Sequence, residues 1–296
     1  MEFVLDEDQE LLRRTVRDAL AKSRTRGEAE QWALYRELGW LEAPPVELAL
    51  ILEELGYVAD STPFLTSATW FAPLAGRLPE GAGTAVLDGA GRYVLDAGRA
   101  DEIAVPTAEG GVRVLPAGEL AVERVDVFDP RLHIAHVRLG DGDHAQSRVP
   151  PLALMGLAAT AVGSCRRILD LTVAHVKERR QFGQPIGAFQ AVKHKAADMY
   201  VTIERARALT HFSALTLAEN DGRAMRAAHM AKAAAGECQR LVFRHGLQLF
   251  GAMGFTWEHE LQIHLKRAKA CDLLLGTAAA HRQALVAPYG KAQVIR

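Results

Sequence analysis

Arg179 and Arg180 head the run Gln181-Phe182-Gly183-Gln184-Pro185-Ile186-Gly187-Ala188-Phe189-Gln190, which joins two long helical patterns. A guanidinium forks two hydrogen bonds onto phosphate oxygens and stays charged, so an arginine held at such a turn can grip a phosphate. On its own an Arg-Arg pair is a solvated helix end favoured by the helix dipole. The second segment with chemical content is Gln248-Leu249-Phe250-Gly251-Ala252-Met253-Gly254-Phe255-Thr256-Trp257-Glu258. Its glycine lets backbone come close to a phosphate-ribose or an adenine. Gly251 also serves as a helix terminator.

Other candidates carry less. His259 and His264 are not spaced as a helical metal pair and have no acid in a ligand pattern, so no metal site is expected. Glu258 and Asp272 are the acids near the second segment, and a solvated or salt-bridged carboxylate is the simpler reading of each. Neither GxSxG, CxxC nor a P-loop occurs.

Three zones of texture position these segments. From Asp6 to about Ala75 the pattern is helical. Asp6 and Gln9 form a capping box before Leu12, Val16 and Leu20. A second helix ends near Gly39, and a third, Leu48 to Gly56, is closed by its glycine. From about Leu78 to Pro150, glycine and proline become frequent, with Gly140 and Gly142 among them. Short β-type runs appear at Arg92–Leu95, Glu102–Val105, Val112–Leu115 and His133–Val137. From Pro151 the pattern is helical again: Leu152 to Arg179, Ala188 to Asn220, Arg223 to Phe250, and a broken stretch from Glu258 to about Tyr289. Long antiparallel helices with short connections predict an up-and-down four-helix bundle. The expected divisions are 1–77, an N-terminal helical domain; 78–150, a small β-domain; and 151–296, the bundle.

The chain has 296 residues and a formal net charge of −1, so no bulk attraction to nucleic acid or an anionic membrane is implied. The acidic start, Met1-Glu2-Phe3-Val4-Leu5-Asp6, does not read as a signal peptide. The most apolar window, Pro150 to Cys165, is too short and too proline-marked to span a bilayer. Cys165, Cys238 and Cys271 are few and far apart and read as reduced thiols, which points to the cytoplasm.

The run from Arg179 to Gln190 resembles the RxxFGxxIxxFQ signature of the acyl-CoA dehydrogenases. Gln248 to Glu258 resembles the same family's QxxGGxGF(T/N)xE run, and Glu53-Glu54-Leu55-Gly56 its EELG segment. The resemblance implies a mostly α fold with a small, here shortened, middle β-domain between an N-terminal helical domain and a C-terminal four-helix bundle. It also implies FAD as cofactor. Arg179 would contact the FAD pyrophosphate of a neighbouring subunit, Phe182 would pack on the adenosine half, and Gln190 would hydrogen-bond it. Gln181, Gln248, Leu249, Gly251, Ala252 and Thr277 complete the implied cofactor set. Ala252 replaces the family's second glycine, which is tolerable unless φ there must be positive.

The chain departs from the family where the reaction would occur. Leu274-Leu275-Gly276-Thr277 aligns with the Tyr-Glu-Gly-Thr segment whose glutamate is the usual base, and a leucine cannot remove a proton. The other family position for the base falls in Leu152 to Met155, which holds no acid. Between Leu78 and Pro150 the runs that hold the flavin ring are missing. No catalytic residue is therefore assigned to this chain.

Together these features resemble one subgroup, the heteromeric acyl-CoA dehydrogenases of actinobacterial steroid catabolism. There, unlike subunits share sites in an α2β2 assembly. This chain looks like the FAD-contacting subunit, with the catalytic glutamate on its partner and a steroid side-chain CoA thioester as substrate. Two alternatives stay open: a self-sufficient homo-oligomeric acyl-CoA dehydrogenase with an unrecognised base, and a non-catalytic structural subunit.

Overall fold

The computed structural model describes residues 4–140 and 148–288. Met1 to Phe3, Gly142 and Tyr289, on which three of the expectations above bear, lie outside them.

Helix α1 spans Glu7–Ser23, and its first turn is closed by the expected capping box: Gln9 N–H donates to Asp6 at 2.8 Å and the Asp6 N–H to the Gln9 side chain at 3.3 Å. Helix α2 spans Glu28–Glu37 and stops just before Gly39, which takes φ +68°. Helix α3 spans Pro45–Tyr57. Here the structure corrects one expectation. Gly56 lies inside α3 and does not end it; a Cβ there would run into the Thr160 carbonyl. Its small size lets α3 lie against the helix that contains Thr160.

Two short helices, α4 (Phe64–Thr66) and α5 (Ala72–Ala75), flank a π-helical turn at Ser67–Phe71. The β-region holds two small sheets. Strands β1 (Gly83–Ala85), β3 (Glu102–Pro106) and β4 (Val112–Pro116) form one, with β1 parallel and β4 antiparallel to β3. Strands β2 (Val94–Leu95), β6 (Ile134–Arg138) and β5 (Ala121–Val125) form the other, all antiparallel. The four expected runs are strands; β1 and β5 are additional.

The C-terminal part contains α6 (Pro151–Glu178), α7 (Gln190–Ala218), α8 (Ala224–Phe250), α9 (Leu261–Leu273) and α10 (Ala278–Val286). A two-stranded hairpin, β7 (Arg180–Gln181) with β8 (Gln184–Pro185), joins α6 to α7. Helix α6 is long and apolar enough to cross a membrane by composition, yet 78% of its apolar window is buried against the rest of the protein. It is the central strut. One apolar cluster joins it to α1 and α3 through Met155 and Ala159; another joins it to the strands through Ala153, Leu157 and Ala161. A third joins it to α7, α8 and α9 through Val162, Cys165 and Ile168.

Charge also ties α3 into place. Glu53 accepts from Arg166 on α6 at 2.8 Å and from Arg207 on α7 at 3.0 Å, while Glu54 accepts from Arg17 on α1 at 2.8 Å and from Arg166 at 2.9 Å. Burial pushes the Glu54 carboxyl up, and the two arginines more than offset it, so it sits below its usual range.

Candidate functional site

The α6–α7 hairpin and the end of α8 meet at one end of the bundle. Arg179 caps α6, its N–H donating to the His175 carbonyl at 2.9 Å, and its own carbonyl accepts from Ile186 across the hairpin at 2.8 Å. The backbone is thus fixed while the guanidinium stands in solvent, with no ion pair among the described residues. Phe182 sits at the hairpin tip with φ +53° and 90% of its surface exposed, edge-on to Phe189 at 6.1 Å. A bulky residue in a left-handed conformation with its ring in water gains nothing from folding. Gln181 and Gln190 are exposed on either side.

One turn before Arg179, His175 stacks on Phe250 at 4.4 Å, and Phe250 meets His259 edge-on at 4.9 Å. These rings join the first segment to the second. Burial, and behind it His259 and Arg179, hold the His175 imidazole below its usual range. From the sequence, His259 is weighed only as a metal ligand and His175 is not singled out, because a stacked ring leaves no spacing signature.

Helix α8 ends at Gly251, whose N–H donates to the Leu247 carbonyl. With φ +61° and ψ −139°, Gly251 occupies a conformation that side chains avoid, and a Cβ built there meets nothing within 4 Å. The backbone is therefore open to an approaching group. Ala252 is exposed and is not among the positive-φ residues, so its methyl is tolerated. Gln248 is exposed on the last turn of α8, whereas Leu249 is buried beneath it.

Thr277 is not part of this grouping. It caps α10, accepting from Ala280 N–H at 3.4 Å. The start of α10 packs at Gly236, twelve residues before Gln248, or about 18 Å away along α8.

The positions where a base would stand come together, and they are apolar. Ala153 and Leu157 on α6 share one packed cluster with Trp70 and Phe71, and Leu274 and Leu275 pack against it. Leu275 has φ +57°. Beside the cluster, a space of about 30 Å³, room for about one water, is lined by Leu95, Leu132, Leu157 and Leu274 on one side and by charged groups, among them Asp60, Asp96, Arg99 and Arg267, on the other. Ligand pockets measure about 300–1,000 Å³. Asp272, the nearest acid in sequence, is engaged elsewhere: it accepts from Lys269 at 3.0 Å, from Gln239 at 3.2 Å and from the Ala278 N–H at 3.1 Å. The carbonyls of Asp272 and Gly276 accept from buried Lys232 at 3.0 and 2.8 Å. Burial brings this amine down to about 8.

The second segment continues into a cleft of about 840 Å³ whose lining includes Arg17, Tyr57, Arg167, Trp257 and Glu258. Arg17 and Arg166 are held there by Glu54, and Arg167 by Glu260 at 2.6 Å. Glu258 is exposed on its rim.

The cradle at the bundle end fits the ADP half of a dinucleotide such as FAD: a free guanidinium for pyrophosphate, an exposed ring for adenosine and an open glycine backbone. The apolar cluster does not fit an isoalloxazine ring.

The family model described as acyl-CoA dehydrogenase, C-terminal domain, matches residues 153–288. The acyl-CoA dehydrogenase IpdE2 of Mycolicibacterium smegmatis is 33% identical over 313 residues, an alignment that spans 92% of this chain and 96% of that protein. Among solved structures, the ChsE4-ChsE5 complex from Mycobacterium tuberculosis superposes with a TM-score of 0.84 at 20% identity, covering 99% of this chain and 100% of that one. The Tcur3481-Tcur3483 steroid ACAD does so with a TM-score of 0.81 at 23% identity, covering 97% and 99%. At such identities the superpositions establish the fold, and the IpdE2 alignment establishes the lineage: the chain belongs to the acyl-CoA dehydrogenase family.

Proposed function

We propose that this chain is the FAD-contacting subunit of a heteromeric acyl-CoA dehydrogenase, paired with an unlike subunit that brings the catalytic glutamate and the flavin-ring site. The observation that carries this reading is the contrast between its two halves. The ADP-binding face is presented outward, while the place for ring and base is filled by the packed cluster of Trp70, Phe71 and Leu157, with Leu274 and Leu275 against it. FAD, when bound, supplies the hydride acceptor for α,β-dehydrogenation of the thioester. Everything this chain does is binding. Arg179 forks onto the pyrophosphate, Phe182 covers the adenosine, and Gln181, Gln190 and Gln248 donate to its edges. Gly251 and Ala252 bring backbone close, with Leu249 packed behind them. Thr277, remote from these, would meet a second part of the assembly.

The substrate class is the CoA thioester of a steroid side chain. It is supported by the neighbour described as a steroid ACAD and by the neighbour that is a complex of two differently named chains. A cytoplasmic location accords with three buried, unpaired cysteines.

The test is to purify this chain alone and together with candidate unlike acyl-CoA dehydrogenase subunits from the same source. The chain alone should be colourless and inactive, and the pair yellow and active on a steroid-CoA. A yellow, active chain on its own would favour a self-sufficient enzyme instead.

A further inference from the structure

The cleft of about 840 Å³ has the size of a small-molecule site, about 300–1,000 Å³. Three parts of the chain wall it: the N-terminal helices, the β-region through Arg131, and α6 with the stretch that begins at Trp257. The walls carry five guanidiniums and five carboxylates, and the two sets are not spent alike. Glu54 holds Arg17 and Arg166, and Glu260 holds Arg167. Asp170 accepts from the Tyr57 hydroxyl at 2.8 Å, and Asp60 from the Thr62 hydroxyl at 2.7 Å. Four of the five acids are thus engaged within the wall, and Glu258 stands exposed. Arg24 and Arg131 have no carboxylate partner among the described residues. Arg17 gives a single nitrogen to Glu54, and a guanidinium has five N–H donors. The unspent donors therefore outnumber the unspent acceptors.

Two rings add to this. Trp257 is 74% exposed, and the Lys266 Nζ lies 3.4 Å from its ring centre. That cation holds one face of the indole and leaves the other to a planar partner. Lys266 likewise has no carboxylate partner among the described residues. His264, also in the wall, is only 3% exposed. Its Nε2 lies 3.5 Å from Glu260, and its Nδ1 has no partner. A buried ring nitrogen in that state is a polar group still to be satisfied.

We propose that this cleft binds a nucleotide, with its base stacked on Trp257 and its phosphate held by Arg24 and Arg131. Guanidiniums fork onto phosphate oxygens, and an indole face accepts any base. A free nucleotide and the nucleotide end of coenzyme A share this chemistry. The site is separate from the cradle at the bundle end, since Arg179, Phe182 and Gly251 are not in its lining. It does not depend on the heteromeric reading above.

The test is to titrate the full chain with ADP, with coenzyme A and with inorganic phosphate, by calorimetry and by tryptophan fluorescence. ADP should bind saturably with a Kd below about 1 mM and quench a signal that Trp257→Leu lacks. The double variant Arg24→Ala, Arg131→Ala should bind ADP at least about tenfold more weakly. Trp257→Leu should weaken ADP at least about fivefold and leave inorganic phosphate unaffected. All three side chains are exposed, so the fold should persist, which circular dichroism checks. Arg179→Ala should leave the quench unchanged. Tighter binding of coenzyme A than of ADP would assign the cleft to the nucleotide end of a CoA thioester; equal or weaker binding would assign it to a free nucleotide. ADP binding that survives the double variant and falls with Arg179→Ala would place the nucleotide in the cradle and overturn this inference. Inorganic phosphate binding as tightly as ADP, with Trp257→Leu without effect on either, would overturn the nucleotide assignment. No binding of ADP or coenzyme A would overturn the site and leave the heteromeric reading standing.

Discussion

At the scale of single residues, Arg179 and Leu275 define the chain. Arg179 is fixed by backbone at both its N–H and its carbonyl, yet its guanidinium is left free. Removing it should therefore spare the fold and harm only what it binds. Arg179→Ala should weaken FAD retention in the assembled complex by about 1.5–3 kcal/mol, the value of a hydrogen bond to a charged group, or about 10- to 150-fold in affinity. Flavin content after gel filtration reads this directly; full retention would count against the assignment. Leu275 is the opposite case. Its positive φ costs about 1–2 kcal/mol in a residue with a Cβ, and its side chain packs against the cluster where a base would act. The turn keeps a demanding backbone with no acid to present. The substitution was legible in the sequence, but the packing that closes the space around it was not, because it comes from Trp70, Leu132 and Leu157, residues remote from one another in the chain.

At the scale of elements, local signals were read well and tertiary ones poorly. The capping box at Asp6 and the long apolar periods of α6, α7 and α8 involve neighbours in sequence, so their boundaries could be read directly. Strand β1, Gly-Thr-Ala, has little β propensity and exists because β3 lies beside it. Strand β5 is mostly exposed and shows no apolar alternation. Gly56 looked like a terminator because the reason for it, the Thr160 carbonyl, lies far along the chain. The opposite end of α8 from Gly251 holds another such tertiary pairing. His229 on α8 and His281 on α10 approach Nδ1 to Nδ1 at 2.7 Å, a bond that needs at least one neutral ring. Burial, then Lys232 and His229, bring His281 down to about 4. A histidine depressed on folding contributes stability that is complete above its unfolded value, about 6.5, and is lost as pH falls towards the folded value. Helix α10 should therefore loosen between about pH 6.5 and about pH 4. Hydrogen exchange of its amides, corrected for intrinsic rates, should show protection falling across that window, and His281→Phe should remove the dependence. Protection that stays level would mean the pair does not hold α10.

At the scale of the whole molecule, the proposed division of labour carries a stoichiometry that can be measured. On the proposed reading, one end of the bundle offers an ADP-half cradle to a neighbour, while the cluster around Leu275 is packed shut among the described residues. A homo-oligomer of such chains would carry cradles with no rings to complete them. On the same reading, an unlike subunit with a ring pocket and a glutamate would complete one flavin for each unlike pair. If two such pairs associate, as closed symmetry favours, the assembly is a heterotetramer with two flavins. The isolated chain should accordingly show no turnover with any acyl-CoA, since neither Leu275 nor the 152–155 window offers a base. Native mass spectrometry of the co-purified complex, with flavin released and quantified by absorbance, distinguishes the possibilities. Two flavins per tetramer fit one shared site per unlike pair. Four would require this chain to hold a complete flavin site, and the packed cluster around Leu275 would then have to open to admit a ring.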